Sequence, residues 1–103
     1  MELEEVLEVS VLLNYYKNLL TDKQKDYLIE HLEEDMSLSE IAKKHEVTRQ
    51  AVYDNIKRGV KTLHEYEDKI GFYKKECEIE ESLEKLKKDL TAENVDKILE
   101  QLF

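Results

Sequence analysis

Proline is absent from these 103 residues, and glycine occurs only twice, at Gly59 and Gly71. β-Hairpins close through tight turns, which recruit Gly, Pro or Asn-Gly pairs. A chain this poor in turn formers is not assembled from short strands, whereas helices joined by short capped loops need few such residues. The composition therefore points to an all-α fold. Cysteine occurs once, as Cys77, which excludes an intrachain disulfide and fits a reducing compartment. No apolar run approaches the roughly 18 residues that a membrane-spanning helix needs. The start of the chain, Met1-Glu2-Leu3-Glu4-Glu5, lacks the basic opening of a secretory signal. The expected location is the cytoplasm. There is also no Gly-rich phosphate loop, nucleophile elbow or paired-carboxylate arrangement. His31, His45 and His64 have no spacing that suggests a metal site. Neither an enzyme nor a metal- or cofactor-dependent protein is expected.

The charge that is present is unevenly placed. The net charge is −9. Residues 1–35 carry three basic and ten acidic groups, and residues 62–103 carry seven and twelve. Between them, residues 36–61 carry six basic and three acidic groups. A modestly basic centre thus lies between two acidic flanks.

Apolar spacing divides the chain into successive helices. Leu3, Val6, Leu7, Leu13, Tyr16 and Leu20 mark an inward stripe for a first helix over residues 2–20. Val9, Val11 and Leu12 make that helix apolar on more than one side, which suggests two neighbours or a second copy. Thr21-Asp22-Lys23-Gln24 has the form of a capping box opening a second helix, with Tyr27, Leu28 and Leu32 inward. Glu33-Glu34-Asp35 is unfavourable at a helix C-terminus, so the chain should break there. Ser37-Leu38-Ser39-Glu40 is a second capping box, starting a short helix to about Lys44. Thr48 caps a long helix to about Ile70, with Val52, Ile56, Gly59, Val60 and Leu63 inward. Gly71 suits a left-handed helix stop. Two further patterns follow: Phe72, Ile79, Leu83, Leu86 and Leu90, then a Thr91-capped stretch with Val95, Ile98, Leu99, Leu102 and Phe103. The domain organisation read from this is a helical domain over 1–71 and a C-terminal helical extension over 72–103. The extension is too highly charged to be stable alone, so it packs on the domain, on itself or on a partner.

Residues 37–70 have the layout of a helix-turn-helix. Ala42 is the small residue that lets a second helix cross closely, Val47 anchors the turn, Thr48 caps the second helix, and Val52, Ile56, Val60 and Leu63 supply its buried side. Glu46 stands where the turn often has Gly.

This arrangement resembles the region 4 helix-turn-helix of bacterial sigma factors, in the stretch Val47-Thr48-Arg49-Gln50. Leu19-Leu20-Thr21-Asp22-Lys23-Gln24, followed by Thr48-Arg49-Gln50-Ala51-Val52-Tyr53-Asp54-Asn55-Ile56-Lys57-Arg58, resembles more closely the YlxM-like family of small helix-turn-helix proteins. The likeness is good over about residues 10–70 and loose in the tail. Genes of that family lie beside those for the signal recognition particle GTPases. The resemblance therefore implies a regulatory protein of the signal recognition particle pathway, whose partner is the particle's protein or its RNA.

Placed at about 100° per residue, the long helix turns Gln50, Asp54, Lys57, Arg58 and Lys61 away from its apolar side, with Arg49 and Tyr53 at the edge. The candidate nucleic-acid-binding residues are Thr48, Arg49, Gln50, Tyr53, Lys57, Arg58 and Lys61. Arg49 and Gln50 stand where base edges are read, Arg to guanine and Gln to adenine. Lys57, Arg58 and Lys61 suit phosphates. The alternative function is accordingly a sequence-specific transcriptional regulator reading DNA with residues 48–61. Asp54 in mid-face and the acidic flanks oppose strong binding, so DNA binding is expected to be weak or dependent on a homodimer. A third reading is an interaction module without any nucleic-acid role, its charged helix face merely solvated.

Overall fold

The computed structural model describes residues 1–102 and is all-α, with no strand among the described residues. The helices are α1 (Leu3–Tyr16), α2 (Asp22–Leu32), α3 (Leu38–His45), α4 (Arg49–Ile70), α5 (Phe72–Lys88) and α6 (Ala92–Leu102). A 3-10 turn, Lys17–Leu19, follows α1. Phe103, expected on the apolar side of the last helix, lies outside the described residues. None of the helices described is long and apolar enough to cross a membrane.

The chain forms two compact units, Met1–Ile70 and a second beginning at Gly71. In the first, α4 is the central element and packs against α1, α2 and α3. Its buried face is Val52, Ile56, Gly59 and Leu63. Val9, Leu12, Leu13 and Tyr16 of α1, Leu20 before α2, Tyr27 and Leu28 of α2, and Ile41 and Ala42 of α3 complete the core. Each Val, Leu or Ile side chain among these contributes about 1.5–3 kcal/mol when fully buried.

Both capping boxes form. Thr21 and Ser37 accept from the backbone N–H of Gln24 and Glu40, whose side chains accept in return from the N–H of Thr21 and Ser37. α2 stops at Leu32 inside the acidic run, and Asp35 takes a left-handed conformation with φ 59°.

Leu13, Tyr16 and Leu20 are buried as expected, but the N-terminal half of the α1 stripe is placed differently. Leu3 and Leu7 are exposed and Val6 is half-buried, while Val9 and Leu12 lie in the core. The helix has two apolar sides, and α4 covers the one carrying Val9, Leu12, Leu13 and Tyr16. α1 also ends at Tyr16 rather than near Leu20. Tyr16 helps to fix its C-terminal end: its buried hydroxyl donates to Glu67 Oε1 of α4 at 2.7 Å. Tyr66 donates to the Leu19 carbonyl at 3.1 Å, tying down the 3-10 turn.

The second unit is a helical hairpin. Gly71, with φ 72°, precedes α5. Thr91 Oγ1 accepts from the Asn94 N–H at 3.1 Å and opens α6. Asn94 Nδ2 donates to the Asp89 carbonyl at 2.9 Å, bracing the connection. Ser82 donates to Gln101 Oε1 across the hairpin, and Ile98 is the buried apolar residue between the helices.

Candidate recognition surface

The surface is set by the turn between α3 and α4. α3 ends at His45, and Glu46 adopts a left-handed conformation, φ 56° and ψ 44°. The Val47 N–H donates to the Ala42 carbonyl at 3.0 Å and the Glu46 N–H to the Lys43 carbonyl at 3.4 Å. Those two bonds make a Schellman turn, which reverses the chain sharply and satisfies the last carbonyls of α3. Thr48 then caps α4 by accepting from the Ala51 N–H at 3.0 Å. With Val52 and Ile56 buried, the opposite side of α4 is left to solvent.

All seven candidate residues are exposed: Thr48, Arg49, Gln50, Tyr53, Lys57, Arg58 and Lys61. Among the described residues, Arg49, Lys57, Arg58 and Lys61 form no ion pair. Four cations spread over about three turns of one helix thus keep their charge available to a partner. Gln50 is engaged, however: its side-chain amide donates to Asp54 Oδ1 at 3.0 Å, one turn along. Asp54 therefore lowers the positive potential of the face and also holds the amide that would read a base. Tyr53 and Lys57 are brought together with Ile56 and Val60 along a cleft of about 340 Å³, whose other side includes Met1 and Glu5. Of the candidate residues, Tyr53 and Lys57 thus border this cleft, and Lys57 also belongs to the outward cations.

A second polar cluster lies behind α3, and the sequence reading missed it. Glu30 of α2 is only 6 % exposed. Its Oε1 accepts from Lys44 Nζ at 2.5 Å, and its Oε2 lies 2.8 Å from His45 Nε2. The His45 ring also meets Tyr27 edge-on, with centroids 5.0 Å apart. Burial pushes the Glu30 carboxyl up, but the bonds from Lys44 and His45 outweigh it and hold the carboxyl below the usual carboxylate range. The Glu30 bond correspondingly raises Lys44. His45 is therefore part of a clamp joining α2 to α3. The available signal was Glu30 itself, three residues after Tyr27 on the inward side of α2. Among the described residues no group of three or more His, Cys, Asp or Glu side chains could hold a metal ion.

Comparison with known proteins agrees with this architecture. Residues 3–102 match the family UPF0122, described as "Putative helix-turn-helix protein, YlxM / p13 like". The chain is similar to UPF0122 protein FN1394 of Fusobacterium nucleatum, with 54% identity across the whole of both chains. It is also similar to UPF0122 protein YlxM of Bacillus subtilis, 47% identical over 84% of this chain and 79% of that one. For UPF0122 protein lin1916 of Listeria innocua, identity is 42% over 88% of this chain and 83% of the relative.

Proposed function

The chain belongs to the UPF0122, YlxM-like family of helix-turn-helix proteins, and from that premise we propose that it is a regulatory protein of the signal recognition particle pathway. In this reading it acts in the cytoplasm without catalysis or cofactor, and the outward face of α4 engages the particle's protein or its RNA. The observation that supports it is the set of exposed cations Arg49, Lys57, Arg58 and Lys61, none in an ion pair among the described residues, on a capped helix whose other side is buried. A protein of net charge −9 is a poor general ligand for nucleic acid. A basic helix face on such a protein instead suits a partner that meets that face alone. Sedimentation of the full chain with the particle's GTPase, and separately with its RNA, tests the reading. Co-migration with either is the expected result; migration alone in both experiments overturns it.

A second reading is favoured by the first turn of α4, where Arg49 and Gln50 stand exposed in the position from which recognition helices touch base edges. The chain would then be a sequence-specific transcriptional regulator, its fold close to sigma factor region 4, reading its own promoter with residues 48–61. The Gln50–Asp54 bond weighs against it, because the amide must give up that partner to pair with adenine. This reading requires a steep fall in binding with salt and loss of the promoter shift in Arg49→Ala. An unchanged shift in that variant removes it.

A further inference from the structure

The cleft bordering α4, about 340 Å³ in volume, is of a size that takes a small planar group. Ile56 and Val60 make part of its lining apolar, and Tyr53 beside them is 45 % exposed, so an aromatic surface is open to solvent there. Glu5, His31 and Lys57 supply polar lining. Glu5 forms no ion pair among the described residues, and its carboxylate can only accept. His31 Nδ1 lies 2.8 Å from the Met36 carbonyl, a bond that Nδ1–H must donate. In the neutral ring Nε2 is therefore a second acceptor. The cleft thus suits a flat group whose edge carries N–H donors.

The lysines of α4 indicate what that group is attached to. Tyr53, Lys57 and Lys61 follow steps of four, so they stand one above another on one face of the helix, about 6 Å apart along its axis. Both lysines are exposed, and neither forms an ion pair among the described residues. An aromatic ring in line with cations is how proteins hold single strands, with a base on the ring and the backbone along the charges. Glu65, the next residue of the stripe, is acidic and exposed, which limits the row to about two phosphates. A duplex keeps its base faces inside the stack, so the open ring of Tyr53 favours an unpaired base. Guanine alone among the four bases carries two neighbouring N–H donors, N1 and N2, on its Watson–Crick edge. Those two donors match one carboxylate in the bidentate manner.

We propose that this cleft binds an unpaired guanine of RNA, stacked on Tyr53, with its N–H edge toward Glu5 and its flanking phosphates on Lys57 and Lys61. Such a site presupposes that the α4 face meets RNA, and it adds the base which that face selects. Fluorescence anisotropy with the full chain at up to about 100 μM tests it on labelled uridine pentamers carrying guanosine, inosine, adenosine or uridine at the centre. The guanosine pentamer is expected to bind about tenfold more tightly than the rest, inosine included, because inosine lacks the N2 amino group. Tyr53→Ala is expected to weaken it about tenfold, and Tyr53→Phe to retain it. Glu5→Gln is expected to remove most of the difference between guanosine and inosine. Circular dichroism of each variant confirms that helix is retained.

A native chain that binds none of the pentamers overturns the site, even where it sediments with the particle's GTPase. Equal binding of guanosine and inosine overturns it too, as does indifference to Tyr53→Ala. If Arg58→Glu combined with Lys61→Glu still abolishes RNA binding in those two cases, the reading of the α4 face stands without the cleft. Guanosine monophosphate bound as tightly as the pentamer assigns the cleft to a free nucleotide and overturns it as an RNA site.

Discussion

The carboxylate of Glu30 lies 2.8 Å from His45 Nε2, joining the inner side of α2 to the last residue of α3. Lys44 adds a second bond to the same carboxylate. The two basic groups hold the charged form of Glu30 although it is buried, so the clamp orients the helix that precedes the turn into α4.

The sign of its pH dependence follows from that shift. A carboxyl held below its unfolded value contributes stability that is complete above the unfolded pKa, about 4.3, and is lost as pH falls through the lower folded value. Glu30→Gln is expected to cost about 1 kcal/mol at neutral pH, because the amide offers one acceptor to Lys44 and His45 while both of these keep access to water. The variant should also lose less stability than the native chain between neutral pH and about pH 3. Urea unfolding at the two pH values measures both effects.

Gly59 lies where α4 crosses α2. A Cβ there would stand 2.8 Å from Leu28 Cδ1 and 3.4 Å from Gln24 Cβ. Leu28 is fully buried, so its side chain has little room to give. Alanine improves helix propensity by up to about 1 kcal/mol, while overpacking costs about 1–3 kcal/mol. Gly59→Ala is therefore expected to destabilise the protein by about 1 kcal/mol net. In a Leu28→Val background, which lacks the crowding Cδ1, the same change is expected to become favourable, and a double-mutant cycle from urea unfolding reads the difference.

Glu46 carries a left-handed conformation in the helix-turn-helix turn. That conformation costs a side-chain-bearing residue about 1–2 kcal/mol, part of which glycine gives back as unfolded-state entropy. Glu46→Gly is expected to raise stability by about 1 kcal/mol, seen as a higher urea midpoint with an unchanged slope.

Much of this architecture could be read from residue types alone, for local reasons. A Thr or Ser followed three residues later by Gln or Glu has few ways to satisfy a helix start, so both capping boxes could be recognised before any packing was known. The position of the turn followed from Ala42, Val47 and Thr48, and the strain in it was foreshadowed by Glu46 standing where Gly is common. What was not legible depended on choices between helices. α1 carries two apolar sides, and only the approach of α4 decides that Val9 and Leu12 are covered while Leu3 and Leu7 are not. The Glu30 clamp joins groups distant in sequence, and nothing local to Lys44 or His45 points to it. Within the candidate surface, the exposure of Arg49 and its neighbours was expected from helical spacing. The capture of Gln50 by Asp54 and the cleft beside Tyr53 required coordinates for neighbouring side chains.

The central claim is that the outward row of α4 is the surface by which the protein meets its partner. Equilibrium titration of the full chain against the particle's GTPase and against its RNA, repeated with Arg58→Glu and Lys61→Glu combined, tests it most directly. The account predicts binding of one partner by the native chain and at least about a tenfold loss in the variant, with unfolding midpoints unchanged because both side chains are exposed. Equal binding by the variant, or none by the native chain, would contradict it.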